Sequence, residues 1–170
     1  MKSPTTTEIE KKYRVSRIPR DVERLTGTLI EQGYLAISAD ETEIRLRRKG
    51  DRFFQTVKKG RGLVRTEVEI ELTEAQFARL WPMTAGRRLS KLRYEIPLAG
   101  NVCDLDVFRK PLSGLVLAEV EFSTIEDSRR FVPPDWFDED VTEDDRYKNK
   151  HLATRGMPSG LSNPIQETRK

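Results

Sequence analysis

Polar and apolar positions alternate with period two along most of this chain, the spacing of strands that turn one face to a core and the other elsewhere. Over residues 6–15, Glu8, Glu10, Lys12 and Arg14 share one face, and Ile9, Tyr13 and Val15 the other. The alternation returns over 41–49, with Glu43, Arg45 and Arg47 against Ile44 and Leu46, and over 53–59, where Phe54, Thr56 and Lys58 share a face. It is clearest over 63–72, where Arg65, Glu67, Glu69 and Glu71 alternate with Val64, Val68, Ile70 and Leu72. Three further strands are expected: 88–97 carrying Lys91, Arg93 and Glu95, 102–108 carrying Asp104 and Asp106, and 115–122 carrying Glu119 and Glu121. A short strand is expected at 34–38. Gly50-Asp51, Gly60-Arg61-Gly62, Gly100-Asn101 and the Pro111–Gly114 stretch supply the turns.

Other segments carry helical spacing. Residues 21–32 place Val22, Leu25, Leu29 and Ile30 on one stripe, with Asp21 as N-cap and Gly33 as a stop. Residues 73–81 begin on Thr73 with Gln76 three positions on, the capping-box spacing, and end before Pro82. A helix is expected over 124–131, stopped by Pro133-Pro134, and a partly helical segment over 140–151. Residues 156–170, rich in Gly, Pro, Ser and Asn, read as a mobile tail behind a single domain of 1–155.

Such strands allow two arrangements. In an open sheet the charged faces meet water. In a closed barrel they point inward, and helices cover the apolar outside. The charged faces hold few Ser, Thr, Asn or Gln residues, and they set Arg and Lys against Glu and Asp in matched order, which favours the barrel. The expected fold is therefore α+β but mostly β: a closed eight-stranded antiparallel barrel, with a tunnel inside and helices packed outside. Its interior must be wet, internally paired or filled by a charged ligand. About eight strands leave room for side chains and one small ligand.

Composition sharpens the picture. Charged residues make up 35% of the 170-residue chain, yet the net charge is only +3. Both signs are interleaved, which points to an anion accompanied by a cation rather than to nucleic acid. The single cysteine, Cys103, rules out an internal disulfide and fits a reducing cytoplasm. No apolar run has the length of a membrane span or a signal peptide.

The sharpest motif is Glu8-Ile9-Glu10-Lys11-Lys12, an E-x-E-x-K pattern. It places two carboxylates about 7 Å apart beside an ammonium on one strand face. Behind it come Arg45-x-Arg47, Lys58, Arg65-x-Glu67, Lys91-x-Arg93, Asp106 and Glu119-x-Glu121. In this order, over residues 6–153, the sequence resembles the CYTH family, also called triphosphate tunnel metalloenzymes, and among them the short bacterial members. The resemblance implies hydrolysis of a linear triphosphate, inorganic tripolyphosphate first, with Mg²⁺ or Mn²⁺. It implies metal ligation by Glu8, Glu10, Glu119 and Glu121, with Asp106 added to that set. It implies phosphate binding by Lys12, Arg45, Arg47, Lys58 and Arg93, with Arg65 added. Glu10 and Lys91 stand as the catalytic pair, Lys91 where some short members place a lysine near the attacking water. Glu67, Glu69 and Glu95 are expected to orient the arginines.

The rivals are a class IV adenylate cyclase, a thiamine triphosphatase and a non-catalytic binder of polyphosphate or nucleoside triphosphates. Lys2-Ser3 stands where such cyclases often carry His-Phe, which counts against the first. The last would need no intact acidic quartet. A homodimer is compatible with the sequence, but no feature specifies one.

Overall fold

The computed structural model describes residues 6–60, 64–98 and 100–160. Eight antiparallel strands dominate: β1 (Thr6–Arg14), β2 (Thr28–Ile37), β3 (Thr42–Lys49), β4 (Arg52–Lys59), β5 (Val64–Leu72), β6 (Arg88–Leu98), β7 (Asn101–Phe108) and β8 (Val116–Glu121). Three short helices accompany them: α1 (Glu74–Leu80), α2 (Ile125–Arg130) and α3 (Asn149–Arg155). The strand order is β1-β5-β4-β3-β2-β6-β7-β8, and β1 pairs with β8 as well as with β5. The sheet is strongly curled as a result.

The seam at β1 is shared. Residues 6–9 pair with β5 and residues 10–14 pair with β8. Where β5 no longer reaches, residues 138–142 lie along the exposed edge as a strap. Asp138 N donates to Arg14 O (2.8 Å), Arg14 N to Glu139 O (2.9 Å) and Val141 N to Lys12 O (2.8 Å). Lys12 N donates to Thr142 Oγ1 at 3.0 Å. The strap thus satisfies backbone groups that an edge strand would leave open.

Outward side chains form the first apolar cluster. Ile9, Tyr13, Val15, Cys103, Leu105, Ala118 and Val120 pack with Phe137, which immediately precedes the strap, and Trp136 and Phe131 flank them. A second cluster, with Leu112, Leu115, Leu117, Tyr147 and Leu152, sits where α3 packs on β2 and β6. Burying each such large side chain contributes about 1.5–3 kcal/mol. Helix α1 covers the outside of β4, its Phe77 ring 4.8 Å from Phe53 and 5.0 Å from Trp81.

The capped helix after Thr73 forms as the sequence predicts, with both capping-box bonds present, and α2 fills the segment expected after Thr124. The helix expected over 21–32 does not form. A five-residue 3₁₀ helix, Arg20–Arg24, is followed by β2 from Thr28. In β2, Leu29 and Ile30 point to opposite faces, both of which receive apolar residues, so two strand faces mimic one helical stripe. Pairing with β3 on one side and β6 on the other satisfies the backbone along β2 and overrides local propensity. The segment 140–151 is largely strap and turn, with α3 beginning only at Asn149. Residues 161–170 of the expected tail and loop residues 61–63 lie outside the described residues.

Gly33 lies within β2 rather than at a helix end. A Cβ there would sit 2.5 Å from Thr84 Oγ1 and 2.6 Å from Thr84 Cβ. Thr84 cannot swing away freely, because its hydroxyl donates to Trp81 O (2.7 Å) and accepts from Arg88 Nε (2.8 Å). We expect Gly33→Ala to destabilise the fold by about 1–3 kcal/mol, read as a lowered midpoint in chemical denaturation. An unchanged midpoint would show that this contact yields without cost.

Candidate active site

The inward faces of the eight strands line a cavity of about 1140 Å³. Strand alternation delivers the side chains: Glu8, Glu10 and Lys12 from β1, Arg45 and Arg47 from β3, Lys58 from β4, Lys91 and Arg93 from β6, and Glu119 and Glu121 from β8. All these residues are singled out by the sequence. Asp106 stands behind the wall, with no exposed surface. Arg65 lies opposite Glu8 in register on β5, and its side chain lies outside the described residues.

The cations fall into two banks, each threaded by carboxylates. In the first, Lys58 Nζ bridges Glu8 (2.6 Å) and Glu67 (2.5 Å), Arg45 faces Glu67 at 3.9 Å, and Arg47 binds Glu69 at 2.6 Å. In the second, Arg93 reaches Asp104 (2.5 Å), Asp106 (2.7 Å) and Glu119 (2.9 Å), and Lys12 binds Glu119 at 2.9 Å. Lys91 Nζ binds Asp106 at 2.5 Å, lies 3.5 Å from Asn149 Oδ1, and stands over the Phe108 ring at 5.3 Å from its centroid.

Burial and charge pull these groups in opposing directions. Burial pushes the Lys91 ammonium down to about 8, against the attraction of Asp106. Burial also works against Arg93 and Glu119. For Arg93, Asp106 and Glu119 reverse it and hold the guanidinium well above its ordinary value. For Glu119, Lys12, Lys91 and Arg93 reverse it and hold the carboxyl well below. Glu8 is raised by burial despite Lys58, whereas Glu67, also penalised by burial, is held at about 2 by Arg45, Glu8 and Lys58. Arg47 is lowered by burial and by repulsion from Arg45 and Arg93, so guanidinium charge converges on one space. Among the described residues, the buried Nε donors of Arg45 and Arg47 find no acceptor. An unpaired buried donor costs free energy, so an anion in this cavity would find donors already oriented and unmet.

The carboxylates are hard oxygen donors of the kind Mg²⁺ and Mn²⁺ select. Glu10 sits directly opposite Glu121 across the β1–β8 pair, a like-charge juxtaposition that a cation between them would relieve. The residues therefore fit such an ion by chemistry. Among the described residues, no three of them already converge as a ligand shell.

Further residues complete the lining. Gln32 and Tyr34, hydrogen-bonded to each other at 3.1 Å, lie in segments that read as the end of a helix and the start of a short strand. Lys150, at the start of α3, reaches Glu41 (2.8 Å) and Glu43 (3.7 Å) across more than 100 residues of chain. Strap residue Thr142 also lines the cavity. Only the tertiary route of the C-terminal segment brings these last two inward.

No family model matches the chain. Curated relatives do. An inorganic triphosphatase of Nitrosomonas europaea is 49% identical over 148 residues, covering 86% of this chain and 97% of the relative. An inorganic triphosphatase of Acetivibrio thermocellus is 33% identical over 150 residues, covering 86% and 92%. Among solved structures, the crystal structure of an inorganic triphosphatase superposes with a TM-score of 0.67 at 45% identity, covering 88% of this chain and 95% of that one. A candidate adenylate cyclase of Bacillus halodurans, at 18% identity and a TM-score of 0.58 over 75% of this chain and 86% of that one, shares the fold.

Asp106 is the common anchor of Lys91 and Arg93. We expect Asp106→Ala to cost about 3–5 kcal/mol of stability, because it strands buried cations. Asp106→Asn, which retains an acceptor, should cost less. Urea unfolding of the two variants measures this, and equal losses would show that shape rather than charge is what Asp106 supplies.

Proposed function

We infer that this chain, which belongs to the CYTH family of triphosphate tunnel enzymes and stands among its short bacterial inorganic triphosphatases, hydrolyses inorganic triphosphate to pyrophosphate and orthophosphate. Within the site, the observation that carries this reading is the pair of buried Nε donors on Arg45 and Arg47 that meet no acceptor among the described residues, in a cavity where guanidinium charge already repels itself. In this reading the curled sheet is a closed tunnel, β1 and the strap complete its wall, and α3 stops one end.

Glu8, Glu10, Glu119 and Glu121 would hold Mg²⁺ or Mn²⁺. When bound, such an ion supplies charge neutralisation and Lewis acidity to the triphosphate oxygens. Arg45, Arg47 and Lys58 on one bank, and Lys12 and Arg93 on the other, bind the phosphoryl groups and stabilise charge on the departing pyrophosphate. Water adds to the terminal phosphorus and the anhydride P–O bond breaks. Lys91, as the free amine, accepts the proton of that water. Asp106 and Asn149 act on Lys91 as positioning residues. Glu67 and Glu69 orient the arginines they bind. No helix among the described residues is long and apolar enough to cross a membrane. With a single, buried cysteine, we place the enzyme in the cytoplasm.

Phosphate release from tripolyphosphate should require Mg²⁺ or Mn²⁺ and stop in EDTA. Arg47→Ala and Glu10→Ala should each lose about 100-fold or more, the scale of one lost transition-state contact. Release that ignores EDTA and both substitutions would reject the assignment. The rate should also climb with pH through a midpoint near 8, because Lys91 cannot accept a proton while it is an ammonium. Lys91→Arg, cationic throughout, should lose that limb and about 100-fold or more in rate. A limb that persists in Lys91→Arg places the base elsewhere.

A further inference from the structure

Two carboxylates assigned to the cation, Glu8 and Glu119, are already occupied, and their occupants are lysines assigned to the triphosphate. Lys58 Nζ lies 2.6 Å from Glu8, and Lys12 Nζ lies 2.9 Å from Glu119. The four side chains retain 8%, 19%, 9% and 13% of their exposure, so water screens these contacts poorly. Arg93 takes the second oxygen of Glu119, and Lys58 also touches Glu67.

A divalent cation arriving alone at Glu8 or Glu119 meets an ammonium beside the carboxylate. A triphosphate arriving alone at Lys58 or Lys12 meets the carboxylate instead. When both arrive, each ion pair exchanges partners: carboxylate to cation, ammonium to phosphate. No buried charge then loses a partner without gaining one, whereas a half-exchange strips a charge of its partner, leaving Lys58 with Glu67 alone or Glu119 with Arg93 alone.

We propose that Lys58–Glu8 and Lys12–Glu119 are exchangeable ion pairs, through which the cavity admits cation and triphosphate together and resists either alone. The proposal rests on the functional reading above. It assigns the lysines a second role, as placeholders for the metal, and the glutamates a second role, as placeholders for phosphate. Coupling of this kind is reciprocal: whatever factor one ligand adds to the other's affinity is returned.

Direct contact between cation and triphosphate would couple them in any site, so the test uses one ligand at a time. Free Mn²⁺, followed by its electron paramagnetic resonance signal without triphosphate, should bind Lys12→Met and Lys58→Met about 10-fold more tightly than wild type, within the usual range of coupling between sites. Tripolyphosphate in EDTA, followed by calorimetry, should bind Glu8→Gln and Glu119→Gln about 10-fold more tightly than wild type. These are gains of affinity, which a misfolded variant cannot imitate, and Lys→Gln replaces any Lys→Met that fails to fold. Unchanged or weakened Mn²⁺ binding in the lysine variants, or unchanged or weakened metal-free triphosphate binding in the glutamine variants, overturns the proposal. A wild-type protein that takes up no tripolyphosphate even with Mn²⁺ present overturns the functional reading and this one with it, a result distinct from both.

Discussion

Moving a charged side chain out of water costs several kcal/mol even after its surroundings relax. Here Lys12, Glu43, Arg45, Lys58, Glu67, Lys91, Asp106 and Lys150 all become buried. The rest of the structure follows from how that cost is met. Strand register sets opposite charges side by side: Glu43, Lys58 and Glu67 form one row across β3, β4 and β5, Arg93 lies opposite Asp106, and Lys12 lies opposite Glu119. A slip of one residue would turn a row of charges into the apolar cluster outside and bring leucine and valine inward. Charge pairing inside and hydrophobic packing outside therefore enforce one register.

The same constraint explains what could be read in the sequence. Six of the eight strands announce themselves by charges at alternate inward positions, as Arg45 and Arg47 do on β3, and β4 by alternation that brings Phe54, Thr56 and Lys58 to one face. β2 is the exception. Its inward residues are Ile30, Gln32 and Tyr34, which are uncharged, and its outward residues include Leu29 and Gly33, so the period dissolves. The site residues on regular strands were legible for the reason the strands were. Thr142 was not, because its position depends on the strap along β1, a contact more than a hundred residues distant in sequence that no local periodicity encodes.

Asp106 illustrates a finer limit. Alternation places it on the inward face of β7, as it does Asp104, and both face the interior. Depth separates them: Asp104 reaches the cavity surface, while Asp106 is enclosed by the two cations it anchors. Spacing along one strand reports which way a side chain points and nothing of what stands in front of it. That depends on the lengths of the neighbours, here Lys91 and Arg93, which reach over the shorter aspartate.

The shared seam at β1 has a consequence for how the molecule comes into being. The strand bearing Glu8, Glu10 and Lys12 is synthesised before the other seven, yet its hydrogen-bonding partners on β8 and the strap lie over 100 residues downstream, 130 in the case of Lys12 and Thr142. On the ribosome these pairings cannot form until β8 and the strap have emerged. The pairing of β1 with β8 and burial of the charges then become one event of long loop closure. The nascent chain never has to hold a half-built charged interior, and the cavity takes its full lining only once the strap and α3 have been made.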